Sequence, residues 1–338
     1  MVELADKVRF LGDPAAYGGG TERVEVKETH MSWVFLADRC VYKLKKPLRR
    51  PFLDFTTIER RRHFCEEELR LNRRLAPATY RAVVPLCLRD GAGLRLGGPG
   101  EVVDWLVEME RLPQHDMLDA RIEAGAAAAE DIERIGALLA GFYAGQPPQR
   151  ADGGAAIEHF VSEHKVTREI LEHAEFGLGG KAGAVLDRVD RAIVALRPAM
   201  ERRIAEGRIV EGHGDLRPEH VCLAEPPQII DCLEFSRAMR MVDPYDEVNH
   251  LGLECEVLGA PWIRPLLMTR LEARLGGRPE SELTALHGGF RMLLRARLCL
   301  AHLLDVPVRK PEKWRPLALS YIALAERETL SLEGRAGR

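Results

Sequence analysis

Two aspartates stand in settings that suit chemistry. Asp215 lies in the run Val210-Glu211-Gly212-His213-Gly214-Asp215-Leu216-Arg217-Pro218-Glu219-His220. Eleven residues past His220 the apolar pair Ile229-Ile230 delivers Asp231, followed by Cys232-Leu233-Glu234-Phe235. Phosphoryl transfer asks for little covalent help and much positioning and charge neutralisation. One carboxylate must sit at the attacking hydroxyl, to orient it and accept its proton. Another must hold Mg²⁺ against the β- and γ-phosphates. Asp215 fits the first role and Asp231 the second. Either aspartate alone reads equally well as an Asx turn or a strand end. The reading rests on both segments together, with His213, Gly214 and the apolar lead-in to Asp231 in place.

Several elements must position these residues. Val24–Glu28 alternates like a strand, and residues 33–45 read as a hairpin turning at Ala37-Asp38-Arg39. Lys46-Pro47 ends the hairpin, since proline cannot continue a ladder. Residues 57–75 are dense in Glu and Arg with apolar Ile58, Phe64, Leu71 and Leu75, which predicts an amphipathic helix with a charged outer face. Strand-like stretches follow at 82–89 and 101–109, divided by the turn-rich residues 90–100. Beyond Leu112-Pro113 the character becomes helical, with helices expected over 126–143, 155–175, 182–206, 248–258, 262–275 and 286–304. A short β-like region at 209–223 and 228–235 interrupts them. The layout is α+β and bilobal: residues 1–112 as a small sheet lobe with one helix, residues 113–338 as a larger helical lobe. The cleft between lobes is the default ligand site.

The 338-residue chain is long enough for two lobes, and its 46% apolar content is enough for a sizeable core. A net charge of −3 argues against wholesale attraction to nucleic acid or anionic membrane. Seven scattered cysteines without a CxxC pair exclude a zinc ribbon and a disulfide framework, and read as buried reduced thiols. The charged N-terminus is unlike a signal peptide, and no apolar run approaches a membrane span. A cytoplasmic protein is expected; its oligomeric state is not written in the sequence.

The segment H-G-D-L-R-P-E-H matches the kinase catalytic-loop pattern H-R-D-L-x-x-x-N with glycine in second position. Ile229–Phe235 has the place of the Asp-Phe-Gly segment. Asp243-Pro244-Tyr245-Asp246-Glu247-Val248 is similar to a D-P-x-x-D-hydrophobic continuation. On these motifs the sequence resembles the aminoglycoside phosphotransferase-like branch of the protein-kinase-like superfamily, from about residue 29 to 304. The resemblance implies a bilobal protein-kinase-like fold with ATP and Mg²⁺ as cofactors. It also implies transfer of the γ-phosphate to a hydroxyl of a small molecule that is aminoglycoside-, sugar- or amino-alcohol-like. Asp215 and His213 are then the catalytic pair, Asp231 the metal ligand, and Asp246 a structural tie to the catalytic loop.

The remaining kinase parts follow from the same likeness. Lys43 and Lys45 share one strand face and both suit the phosphate-binding lysine. Val41 lies on that face too, so Lys43 leaves an apolar wall for adenine, whereas Lys45 would put Lys43 there; Lys43 is favoured and Lys45 stays open. Glu68, three and seven residues before Leu71 and Leu75, is the expected ion partner. No glycine-rich phosphate loop is present. Thr29-His30-Met31-Ser32 occupies that turn, where backbone amides and the Ser32 hydroxyl can meet phosphate, and Gly18-Gly19-Gly20 reads as a linker. Adenine is expected on the backbone of Glu110 and Leu112. His220 replaces the family's Asn as second metal ligand, and imidazole suits softer ions than Mg²⁺. That departure supports the alternative, an ATP-binding pseudokinase or protein-directed kinase with a regulatory role. Arg291 and Arg295, four apart on one helix, suit either an anionic substrate or helix-surface ion pairs.

Overall fold

The computed structural model describes residues 2–18, 20–50, 52–89, 93–149, 153–304, 308 and 310–335. Gly19 of the expected linker and Asp90 of the expected turn lie outside them.

Along the chain come helix α1 (Leu4–Leu11), strands β1 (Glu25–Glu28), β2 (Ser32–Leu36) and β3 (Cys40–Lys45), and the short ladder β4 (Arg49–Arg50) with β5 (Leu53–Asp54). Helix α2 (Ile58–Asn72) precedes β6 (Tyr80–Arg89), β7 (Gly93–Leu96) and β8 (Glu101–Glu110). Then follow α3 (Leu118–Glu123), α4 (Ala129–Ala144), α5 (Gly153–Leu171) and α6 (Gly179–Ala205). The short strands β9 (Val210–Glu211), β10 (Val221–Cys222) and β11 (Gln228–Ile229) lead to α7 (Arg237–Arg240) and β12 (Met241–Val242). Helices α8 (Pro244–Val257), α9 (Ile263–Leu275), α10 (Ser281–Ala301) and α11 (Pro311–Thr329) complete the chain.

These elements divide into two compact units. Met1–Ala120 with Glu219–Met239 makes the sheet-bearing unit, and Arg121–Pro218 with Arg240–Arg338 makes the helical one. In the first, an antiparallel sheet runs in the order β1-β2-β3-β8-β6-β7. Strand alternation sorts its side chains into two layers. Phe35, Tyr42, Leu44, Leu86 and Leu106 pack on one face with Leu11 of α1. Val107 and Met109 face the other way, against Cys65 of α2. Lys43 pairs in register with Val107 and so takes the α2 side. Thr57 caps α2, its hydroxyl accepting from the Arg60 N–H. Asp104 in β8 is a buried anchor: it accepts from Lys7 of α1 at 2.8 Å and from Arg61 of α2 at 2.6 and 3.0 Å.

The helical unit packs α5, α6, α10 and α11 around one core that includes Val189, Leu286, Leu293, Tyr321 and Ala325. Four helices were not anticipated: the short α3 and α7, and α1 and α11. α1 is only two turns long and heavily charged, although Leu4, Val8 and Leu11 keep helical spacing. α11 carries Pro316, which reads as a breaker, while its Pro311 stands at the start, where proline is favoured. All seven cysteines are free and six are buried. No helix among the described residues is long and apolar enough to cross a membrane.

Candidate active site

In the sheet-bearing unit, β3 and α2 bring two lysines onto one glutamate. Lys43 Nζ lies 2.9 Å from Glu68 Oε1 and 2.7 Å from Asp231 Oδ1. Lys45 Nζ lies 2.6 Å from Glu68 Oε2 and also donates to Glu234. Burial alone would push both lysines toward the neutral form. Asp231, Glu68 and Glu234 outweigh it at Lys43, and its pKa stands well above the ordinary 10.5. Burial likewise disfavours the Glu68 carboxylate, yet Lys43 and Lys45 hold its pKa below the usual range. The contacts among Lys43, Lys45 and Glu68 thus favour the charged form of all three despite their burial, and each charge depends on its partners.

Asp231 is placed by the same helix. The β10–β11 ladder pairs Val221 with Ile229, and Ile230 N–H donates to His220 O at 2.9 Å. That turns the chain so that His220 Nε2 stands 3.6 Å from Asp231 Oδ2. Asp231 N–H donates to the Tyr80 hydroxyl at 3.1 Å, and Cys232 N–H to Asn72 Oδ1 at 2.8 Å. Asp231 itself has φ of 61°, the left-handed region that costs a non-glycine residue strain. Tyr80, Asn72 and Glu234 went unrecognised in the sequence; only Asn72, one helical turn past Glu68, could have been found by spacing.

Among the described residues no group of three or more His, Cys, Asp or Glu side chains is arranged to hold a metal ion. Mg²⁺ uses one or two protein carboxylates and takes its other ligands from phosphate and water. Asp231, which already offers Oδ1 to an ammonium, fits such a hard cation. The imidazole of His220 does not.

The other residues expected on the nucleotide side stand as follows. Ser32 is buried in register with Lys45, and its N–H is taken by Thr29 Oγ1 at 2.9 Å, so that turn is closed on itself. Glu110 N–H donates to Thr79 O at 2.8 Å, and Arg111 N–H to Arg39 O at 3.0 Å. Leu112 borders an opening of about 560 Å³ with Leu36, Pro113 and Gln114.

In the helical unit, Glu247 of α8 holds the loop around Asp215. Its Oε2 accepts from His213 N–H at 2.9 Å and from the Tyr143 hydroxyl at 2.5 Å, and its Oε1 accepts from Gly214 N–H at 2.5 Å. A Cβ on Gly212 would come within 2.5 Å of Glu247, and Gly214 has φ of 90°, so both positions need glycine. The tie to the loop expected of Asp246 is thus made by its neighbour. In the pattern D-P-x-x-D counted from Asp243, Glu247 stands at the last place, and only it reaches the loop amides. Asp246 instead meets Arg291 at 2.6 Å. His213 is fully buried and accepts the Asp215 N–H at Nδ1, 3.3 Å away, so it shapes the turn that presents Asp215. Asp243 caps α8 and takes Arg203 through two hydrogen bonds. Arg295 pairs with Glu254. Arg291 and Arg295 are therefore largely buried ion-pair members, not helix-surface ones.

No family model matches the chain. An uncharacterized protein of Mycobacterium tuberculosis is 29% identical over 284 residues, covering 81% of this chain and 54% of the relative. A Mycobacterium bovis protein matches to the same extent. The chain thus spans about half the length of the curated relatives it matches. A choline/ethanolamine kinase family protein from Mesorhizobium loti superposes with a TM-score of 0.56 at 17% identity, covering 96% of this chain and 94% of its own. A spectinomycin phosphotransferase solved with ADP and spectinomycin gives 0.53 at 10% identity, covering 98% and 99%. A choline kinase from Streptococcus pneumoniae gives 0.53 at 14%, covering 94% and 96%. With a sheet-bearing unit and a helical unit built as described, the chain has the protein-kinase-like fold of these aminoglycoside and choline kinase structures.

Proposed function

We propose that the chain is a Mg·ATP-dependent phosphotransferase that moves the γ-phosphoryl group of ATP to a hydroxyl of a small molecule. The observation that carries this reading is the ion triad Lys43–Glu68–Asp231. A buried glutamate that pins a lysine beside a carboxylate is what phosphate binding needs: a fixed cation for the phosphates and an anion for their metal. In this reading Lys43 contacts phosphate and Lys45 holds Glu68 in place. Asp231 would hold Mg²⁺, which would supply positive charge to offset that of the phosphates. The Glu110 amide is already donated to Thr79, so adenine takes the Glu110 carbonyl and the Leu112 amide. Asp215 orients the acceptor hydroxyl and receives its proton, and His213 positions Asp215. The kinase neighbours, one of them solved with ADP, support the class of reaction. Free, mostly buried cysteines suit a reducing cytoplasm.

A second reading, an ATP-binding pseudokinase or a protein-directed kinase with a regulatory role, is favoured by one feature: an imidazole stands beside Asp231. Two measurements separate them. Mg·ATP should raise the melting temperature more than ATP with chelator, and no shift at millimolar nucleotide would sink both readings. Transfer from ATP to sugars, amino sugars or amino alcohols should fall roughly 10²-fold or more in Asp215→Asn, the scale of a lost general base, with ATP affinity kept. Turnover unchanged in that variant would leave the second reading in front.

A further inference from the structure

The sequence left open whether Arg291 and Arg295 serve a ligand. Both are in α10, four residues apart and so on one helix face. Arg291 spends Nε and Nη2 on Asp246, and Arg295 spends Nε on Glu254 and Nη2 on the Tyr321 hydroxyl. Nη1 of each makes no hydrogen bond among the described residues. His250 of α8 is 5% exposed, and its Nδ1 likewise has no hydrogen-bond partner among them; neither has His287 Nδ1. The two imidazole nitrogens are buried, and polar atoms so buried are ordinarily satisfied. Asp215 adds to the charges that favour the ionised form of both arginines.

The carboxylates of this region are taken. Asp246 belongs to Arg291, and Glu254 is shared by Arg295 and Tyr321 at 2.7 Å each. Glu328 is held by both terminal nitrogens of Arg264, and Glu247 by the loop amides. None of these four carboxylates is left without a partner to receive a cationic amine. His250 reports the sign of the field. Its pKa is driven well below 6.5 by burial first, then by Arg291 and Arg295, with Asp246 opposing and Arg217 adding to the fall. A protonated amine at that place would meet the same repulsion.

We propose that the phosphate acceptor is anionic: a hydroxylated molecule whose carboxylate or phosphate ester lodges against Arg291 and Arg295, within reach of His250. Guanidinium nitrogens with one free edge suit an oxyanion, and a neutral imidazole supplies a further hydrogen bond. The proposal rests on the phosphotransferase reading and narrows its substrate class away from choline-like and aminoglycoside-like cations.

The test uses the full chain with Mg·ATP, after nucleotide binding has been established by thermal shift. Matched acceptors are compared on two scaffolds: glycerate, glycerol and serinol; glucuronate, glucose and glucosamine. The acids should be phosphorylated in preference to their neutral and amino counterparts. Arg291→Lys keeps a cation for Asp246 and removes Nη1. It should raise KM for the acid about tenfold or more, the scale of one charge-assisted hydrogen bond, with KM for ATP unchanged even where the melting temperature falls, since lysine cannot reproduce the two-nitrogen contact with Asp246. Preference for the amino or neutral members, or transfer to none of the six by a protein that binds Mg·ATP, overturns the proposal and leaves nucleotide binding standing. A protein that does not bind Mg·ATP overturns the reading beneath it.

Discussion

In the sheet-bearing unit two lysines share one glutamate, whereas in the helical unit each arginine of α10 has a carboxylate of its own. Lys43, Lys45, Glu68, Asp231 and Glu234 form a chain in which several ions touch two others. Arg291–Asp246 and Arg295–Glu254 are separate pairs with directional contacts, two nitrogens of Arg291 on Asp246 and Nε of Arg295 on Glu254. Lysine is a point charge on a flexible stem and exchanges partners readily. Arginine's planar fork fixes its partner's orientation. The first arrangement therefore suits a place where phosphate and metal must enter among existing ions. The second suits a frame that keeps its shape while something binds at its edge.

The strongest way to break this comparison is to remove the shared member. Glu68→Gln leaves two buried ammonium groups short of a counter-ion, and a loss of about 3–5 kcal/mol is expected, as for other broken buried pairs. Asp246→Asn deprives one arginine of one charge and should cost roughly 2–3 kcal/mol. Urea midpoints of the two variants decide it, and equal losses would remove the distinction between shared and separate ions.

A smaller effect separates the lysines. Lys45 is fully buried and Lys43 retains some exposure. Lys45→Met should mainly lower the melting temperature, and Lys43→Met should mainly weaken ATP binding, by about tenfold or more. If Lys45→Met is the more damaging to nucleotide affinity at equal stability, the phosphate lysine is Lys45.

The smallest effect is in pH dependence. Glu68 titrates below its ordinary 4.5 in the fold, so its contribution is present above that value and is lost as pH falls through the folded pKa. Lys43 is raised above 10.5, so its contribution is present below 10.5 and is lost as pH rises through the folded value. Asp246 is disfavoured as a carboxylate by burial but lowered overall from 3.8 to about 2, chiefly by Arg291, and loses its contribution only as pH falls toward about 2. Arginine stays charged at the alkaline end. The stability gap between wild type and Glu68→Gln should therefore shrink above pH 10.5, while the gap for Asp246→Asn persists there. Parallel behaviour of the two gaps in urea titrations would count against the assignment of ions.

Much of the frame was legible because it depends on local pattern. The hairpin over residues 33–45 and the helix after Thr57 follow from alternation and amphipathic spacing, and appear as β2–β3 and α2. The face shared by Lys43 and Lys45 follows from the two-residue period of a strand. Less legible was anything decided by distant packing. Lys7 looks like an ordinary charged residue of the N-terminus, and only the fold reveals it beside Asp104. Glu234 acquires its importance from Lys45, 189 residues away in sequence. Asp246 and Glu247 differ by one helical position, about 100° around the axis. Motif likeness did not tell them apart, while the loop amides do.

Residues Glu219–Met239 join the sheet-bearing unit although the chain on either side of them belongs to the helical one. The order of events on the ribosome follows from this. Once residues up to 120 have been made, the chain carries Lys43, Lys45 and Glu68, two positive charges to one negative, with Asp231 and Glu234 still to come. The unit also lacks the β10–β11 ladder, whose Ile229 amide bonds to Leu75 O just past α2. About a hundred further residues must be synthesised before that gap is filled, and pairing so remote in sequence is slow to form. An excess of positive charge at Lys43 and Lys45 thus opposes closure of the core between β3 and α2 until Asp231 and Glu234 arrive. Cutting the gene after the first unit's long opening segment would make that transient state permanent.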